Sequence, residues 1–236
     1  ERWSRWRARW FSAQARGPLV LLMLWPAALL FPAALPFGLG QVLERLEAAV
    51  AQALEDSAFY DWLPQSLQPL EPLARSTEAL CVALGLWLPC LLAYSVVAHR
   101  GRRLALALAV FVVGVGVTAL SCALTWGPLH AWVWLGALPV RVGLLAGALL
   151  ALLALPLSGR ACAALLLLAT VVHLSLLNQA PTSPYFAHTL QLWEQGRFLR
   201  FYGLSQWLGW LWPYAVLVVV LLRLSHREGQ TYNPSP

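Results

Sequence analysis

Residues 104–125 read LALALAVFVVGVGVTALSCALT, and this uncharged stretch decides the fold of the chain. A helix that crosses a hydrocarbon core of ~30 Å needs about 20 mostly apolar residues, a length that this stretch reaches on its own. Five further stretches are mostly apolar and of similar length, at residues 18–37, 77–98, 139–157, 160–177 and 207–224. In the first of these, Pro32 and Pro36 could break the helix before it crosses, but neighbouring helices can satisfy the freed carbonyls inside a bundle, so a span is predicted there as well. The sequence therefore predicts an all-α fold, a polytopic transmembrane helix bundle of about six spans.

The composition of the chain agrees with a bilayer as its solvent. Of its 236 residues, 60% are hydrophobic and 11% are charged, whereas a soluble domain has roughly 25% charged residues. So few charges cannot cover a soluble surface, which excludes a soluble enzyme, a disordered chain and a secreted disulfide scaffold. The expected partner is the lipid bilayer, with no nucleic-acid partner. All sixteen cations are arginine, and the absence of lysine and isoleucine is typical of a GC-rich bacterial genome.

The distribution of arginine predicts the orientation of the bundle, because cytoplasmic loops are enriched in positive charge. With the N-terminus inside, eleven of the sixteen arginines lie on the cytoplasmic side. These are Arg2, Arg5, Arg7, Arg9, Arg16, Arg100, Arg102, Arg103, Arg160, Arg223 and Arg227. The remaining ones are Arg45, Arg75, Arg141, Arg197 and Arg200. Both termini are therefore expected in the cytoplasm of a bacterium, with the protein in its inner membrane.

The chain is organised around this membrane domain. Residues 1–17 form an Arg- and Trp-rich cytoplasmic flank, residues 18–224 form the six-helix domain, and residues 225–236 form a cytoplasmic tail. Two external loops, residues 40–75 and 178–206, are too long for plain turns and are expected to carry interfacial helices. The apolar residues that recur at helical spacing in the first loop are Val42, Leu46, Ala49 and Ala53.

The second external loop is the best candidate for a functional surface. It concentrates aromatic and charged side chains. Loops of this length are usually either functional or disordered, and this one is too aromatic for disorder. The candidate residues are Trp193, Glu194, Arg197, Arg200 and Tyr202. The alternative is a structural lid held by its own aromatic side chains.

His173 is the candidate cofactor ligand, because an imidazole in a membrane span can bind haem or chlorin through a ring nitrogen. The favoured alternative is an interfacial histidine hydrogen-bonded to a carbonyl, and no cofactor is predicted. The four cysteines show no C-x-x-C spacing, so no metal site is expected. No catalytic residue is assigned, since no Ser/His/Asp, phosphate-loop or paired-carboxylate arrangement stands out.

Gly143 and Gly147 form a G-x-x-x-G pattern on the fourth predicted span. Small residues at this spacing let another helix backbone approach closely. The favoured interpretation is packing within the chain, and the alternative is a contact with another subunit.

Several polar and aromatic stretches near the C-terminus resemble a known family. They are NQAPTSPYF at 178–186, WEQGRF at 193–198, GLSQWL at 203–208 and WPY at 212–214. Together they resemble the C-terminal membrane region of long VanZ-like proteins of betaproteobacteria. The resemblance implies an integral inner-membrane protein, with a loose link to glycopeptide-antibiotic resistance and no defined chemistry.

Two hypotheses for the function follow. The first is a non-enzymatic envelope protein that acts at the outer leaflet, or scaffolds it, on a lipid-linked or cell-wall component. The alternative is an accessory transmembrane subunit of a larger respiratory or photosynthetic membrane complex, in which other subunits are the partners. An enzyme ranks third. An ion-coupled pump is disfavoured, because the acidic residue nearest to membrane depth, Glu78, lies only at the outer mouth of the second predicted span.

Overall fold

The computed structural model describes residues 15–31, 33–55, 57, 73–179 and 202–228. Within these residues the secondary structure is entirely helical, which confirms the predicted all-α class. The α-helices are α1 (Arg16–Leu29), α2 (Leu43–Leu54), α3 (Arg75–Tyr94), α4 (Arg100–Trp126), α5 (Leu138–Leu153), α6 (Gly159–Leu177) and α7 (Tyr202–Glu228). Two 3₁₀ helices, Pro128–His130 and Val133–Gly136, connect α4 to α5.

Helix α3 is the centre of the bundle. It packs against α1, α4, α5 and α6, most extensively against α5. Its residues are buried on all sides from Cys81 to Leu86 and again from Leu88 to Tyr94, as expected for a helix without a polar stripe. The surrounding helices α4, α6 and α7 instead leave apolar side chains such as Val112, Leu168 and Val218 exposed. Such a face is suited to lipid, so the bundle has a membrane protein's layout.

Among the described residues, fewer helices could cross a membrane than the six that the sequence predicts. Four helices are long and apolar enough to cross a membrane: Arg75–Tyr94, Arg100–Trp126, Gly159–Leu177 and Gly203–Ser225. A fifth span exists if Pro128–Gly136 and Leu138–Leu153, which meet at 77°, are counted as one broken span. The prediction of six spans is therefore not confirmed for the described residues.

The first predicted span differs most from the structure. The expected helix over residues 18–37 ends at Leu29, after 14 residues, which is about 21 Å at 1.5 Å per residue and too short to cross. The sequence explains the ending. Pro32 lacks an N–H, and its ring conflicts with a helical carbonyl four residues earlier. Pro36 repeats the same obstacle.

The antiparallel helices define two ends of the bundle. One end, called here the Arg75 end, holds the N-terminus of α3 and the C-termini of α1, α4 and α6. The other, the Arg103 end, holds the C-terminus of α3 and the N-terminus of α4. Helices α1 and α7 run side by side, and the indole Nε1 of Trp212 donates a 2.8 Å hydrogen bond to the Leu21 carbonyl.

A buried arginine closes the Arg103 end. Arg103 is 4% exposed. Its Nε donates to the Val97 carbonyl at 2.7 Å and its Nη2 to the Tyr94 carbonyl at 2.9 Å. Its Nη1 donates to the carbonyls of Leu155 and Leu157 at 2.9 and 2.5 Å. The guanidinium therefore satisfies carbonyls that follow both α3 and α5, where the negative ends of two helix dipoles favour a cation.

Helix α2 lies in the first predicted external loop. Its N-terminus is held by Asn178, whose Oδ1 accepts from the backbone N–H groups of Val42 and Leu43 at 3.1 and 3.0 Å. The apolar side chains of Leu43 and Leu46 are exposed. The position of α2 at a membrane interface stays a prediction. The helix expected in the second loop lies outside the described residues.

Candidate functional site: a cavity beside a re-entrant segment

After α1 the chain dips into the bundle and returns, forming what we call the re-entrant segment, whose described residues are 30, 31 and 33–42. Near the Arg75 end, the Leu30 carbonyl accepts a 2.8 Å hydrogen bond from the Ser121 hydroxyl. Phe37 then lies against Gly85 and Gly114, near the middle of α3 and α4. Non-helical backbone at this depth is tolerated in a membrane protein only where protein or a cavity surrounds it.

Phe37 is the tip of the re-entrant segment. Its φ of 63° lies in the left-handed region, a conformation uncommon for a side chain of this size. The ring stacks on Trp25 with centroids 6.4 Å apart and meets Trp134 edge-on at 6.2 Å. A Cβ atom at Gly85 would clash with the Phe37 carbonyl oxygen, and one at Gly114 would lie 2.8 Å from the Trp25 ring. Glycine at both positions therefore makes room for the tip.

The return of the segment is fixed at Gly40. Its φ is +100°, and a Cβ there would lie 2.5 Å from Leu174 and 3.0 Å from Pro213. The Gly40 N–H donates to the Gly209 carbonyl at 2.9 Å. Its own carbonyl accepts from the Tyr214 hydroxyl at 3.2 Å and from the Asn178 amide at 3.3 Å. Glycine is needed here for both conformation and space.

A cavity of about 770 Å³ lies between the re-entrant segment and α4 at the Arg75 end. Its wall is mainly apolar, built from Leu29, Phe31 and residues 33–37 and 39, the last turns of α4, and the 3₁₀ region around Trp134. Ligand sites have volumes of roughly 300–1,000 Å³ and apolar walls with a few placed polar groups. By size and lining, the cavity is the candidate functional site.

Five polar side chains are placed in this apolar wall: Glu78, Thr118, Ser121, Thr125 and His130. Two of them are already engaged within the protein, because Ser121 donates to Leu30 and Thr125 donates to the Ser121 carbonyl at 2.8 Å. Thr118 differs. It is 8% exposed, and its hydroxyl has no hydrogen-bond partner among the described residues. A buried hydroxyl without a partner is costly, and no protein hydrogen bond holds this group away from a bound molecule.

His173 lies elsewhere, fully enclosed where α6 meets α3 and the re-entrant segment. It is 0% exposed, and its interpretation as a histidine at interfacial depth stays a prediction. The backbone carbonyls of Leu39 and Cys81 face the ring, but neither ring nitrogen has a hydrogen bond to the described residues. His173 does not line the cavity. Its role as a haem or chlorin ligand stays an untested alternative.

The other predicted site residues are placed as follows. Trp193, Glu194, Arg197 and Arg200 lie outside the described residues, and Tyr202 begins α7 with its side chain undescribed.

Gly143 and Gly147 face α3 of the same chain. A Cβ at Gly143 would lie 2.6 Å from the Ala79 carbonyl oxygen, and one at Gly147 would lie 3.0 Å from that of Ala83. The contact within the chain is thus the one that the structure shows. Among the residues it describes, no His, Cys, Asp and Glu side chains form a group that could hold a metal ion.

Sequence reasoning missed the cavity, although a signal was present. Pro32, Pro36, Gly38 and Gly40 follow one another at short intervals, a spacing that indicates irregular backbone. The apolar residues between them suggested a continuous span instead. No protein-family model, no curated protein and no solved structure matches this chain.

Proposed function

We propose that this chain is a VanZ-like integral protein of a bacterial inner membrane that binds an amphiphilic envelope molecule, a lipid, in the cavity at the Arg75 end. The role is binding or scaffolding at the outer leaflet rather than catalysis. What supports it is the cavity itself: a mainly apolar wall with polar groups placed at few positions, at one end of an apolar bundle.

A filled cavity tests this proposal. In the Ala34→Trp variant a large indole would occupy space beside the wall residue Ala34. We expect lipid retained by the protein in mild detergent to fall by at least ~10-fold, the effect of losing about 1.4 kcal/mol of binding. The measurement is native mass spectrometry of the full chain after partial delipidation.

Ala109→Trp is the matched control. Ala109 lies on the exposed face of α4 and does not line the cavity, so this variant should retain lipid as the parent does. Equal retention in the parent and in Ala34→Trp, or no retained lipid in the parent, would show that the cavity is not a lipid site.

The orientation is part of the proposal, with the Arg103 end in the cytoplasm. Described arginines at that end include Arg16, Arg100, Arg103 and Arg160, which is the charge bias of a cytoplasmic face. A cysteine placed at Gly101, where a Cβ meets nothing within 4 Å, should react with an impermeant maleimide only after the membrane is opened. A cysteine at the exposed Gln52 should react in intact spheroplasts. Labelling of position 101 in intact spheroplasts would reverse the orientation.

A further inference from the structure

We infer that the cavity selects a phospholipid that has a primary ammonium head group and ester-linked chains, through Glu78 and Thr118. This inference rests on the proposed function and names the class of lipid. The first observation is the position of Glu78, the only carboxylate among the described side chains of the cavity wall. It lies in the first turn of α3, ~4.5 Å along the helix from Arg75. A carboxylate at the mouth of an apolar cavity favours a cationic head group that can also donate hydrogen bonds.

The second observation is the unpartnered Thr118 hydroxyl. Thr118 lies eight residues before the end of α4 at Trp126, or ~12 Å deeper along the helix. More than nine-tenths of this residue is buried, and it lines the cavity without a protein partner for its hydroxyl among the described residues. Inside a membrane protein, a helical threonine can donate to the carbonyl four residues earlier. Thr118 does not, and its hydroxyl oxygen is enclosed in this structure. Because the hydroxyl has no hydrogen bond to lose and a helical threonine adopts either of two χ1 rotamers, rotation about χ1 can present it to an acceptor on the ligand.

These groups occur in an order that matches one class of lipid. An aminophospholipid carries an ammonium group, then a phosphate, then ester carbonyls above two hydrocarbon chains. Glu78 and the exposed His130 lie at the mouth, where ammonium and phosphate would be bound. Thr118 lies deeper, where its O–H can donate to an ester carbonyl. The apolar re-entrant segment then contacts the upper part of the chains. An anionic head group without an amine would meet the Glu78 carboxylate unfavourably.

Competition between synthetic lipids tests the selection. The full chain in detergent is offered dioleoyl-phosphatidylethanolamine and dioleoyl-phosphatidylglycerol at equal concentration, and bound lipid is read by native mass spectrometry. We expect a preference of about tenfold for the ethanolamine lipid, which is the contribution of one charge-assisted hydrogen bond. In Glu78→Gln this preference should fall to within ~2-fold. Glu47→Gln, which removes an exposed carboxylate on α2 outside the cavity, should leave it unchanged.

The Thr118 contact has a separate readout. The parent should bind ester-linked phosphatidylethanolamine about fivefold better than its diether analogue, which lacks the carbonyl oxygens, in line with one neutral hydrogen bond. Thr118→Val should bind both equally. Thr170→Val is the control, since the buried Thr170 hydroxyl donates to the Leu166 carbonyl away from the cavity.

The outcomes separate the two proposals. Equal binding of both head groups by the parent, or a preference that survives Glu78→Gln, would overturn the selection by Glu78 while cavity binding remains. An ester preference that persists in Thr118→Val would overturn the role of Thr118. If Ala34→Trp binds lipid as the parent does, the lipid site itself is wrong.

Discussion

Replacing Arg103 with alanine should destabilise the protein by at least ~3 kcal/mol, because buried carbonyls at the ends of two helices lose a charged donor at once. The four carbonyls that it satisfies, Tyr94, Val97, Leu155 and Leu157, come from two separate parts of the chain. We expect the melting temperature in detergent to fall by roughly 6–12 °C, as for a domain of this size. The loss should appear as earlier unfolding and lower membrane yield.

Arg103→Lys separates the contribution of the planar guanidinium, with its several N–H donors, from the contribution of the positive charge. An ammonium group is compact and cannot reach carbonyls on both sides as the planar guanidinium does. We therefore expect Arg103→Lys to recover only part of the lost stability. Arg100→Ala is the matched control, since Arg100 is exposed in the same turn of α4. A melting temperature of Arg103→Ala equal to that of Arg100→Ala would show that these hydrogen bonds do not hold the Arg103 end.

The elements that depend on local composition could be predicted from the sequence. The predicted span 104–125 corresponds to α4, and 160–177 corresponds to α6, because a long uncharged run leaves only a helix to satisfy its backbone in lipid. The amphipathic helix after Gly40 was also predicted, since its apolar spacing is visible within 14 residues. Each of these elements is encoded by its own residues.

The elements that depend on distant partners could not be predicted. Pro32 and Pro36 indicate irregular backbone after α1, but the return of the chain into the bundle depends on the room that Gly85 and Gly114 leave for Phe37. Arg103 counts in the sequence as one more cytoplasmic cation. Its burial depends on where the C-termini of α3 and α5 meet. Thr118 is equally inconspicuous, because a helical threonine ordinarily bonds its own backbone.

Gly85→Val should be the most damaging single change in the core of the bundle. The new Cβ would clash with the Phe37 carbonyl oxygen and lie 2.8 Å from the Phe37 Cβ. Both belong to the left-handed tip, which is held between Trp25 and Trp134, so neither can move by a simple side-chain rotation. Overpacking of this kind costs about 3 kcal/mol when backbone must shift. We expect a lower melting temperature and, because the displaced tip forms the cavity wall, loss of lipid retention.

Gly116→Val separates this effect from the general cost of replacing glycine in a helix. Gly116 lies in α4 two residues beyond Gly114, and a Cβ there would meet nothing within 4 Å. The same substitution should change stability by less than ~0.5 kcal/mol at this open position and leave lipid retention intact. The contrast follows from the packing alone, since both glycines lie inside long apolar helices. If Gly85→Val melted and bound lipid as Gly116→Val does, Phe37 would not be wedged against α3, and the re-entrant path of residues 30–42 would be wrong.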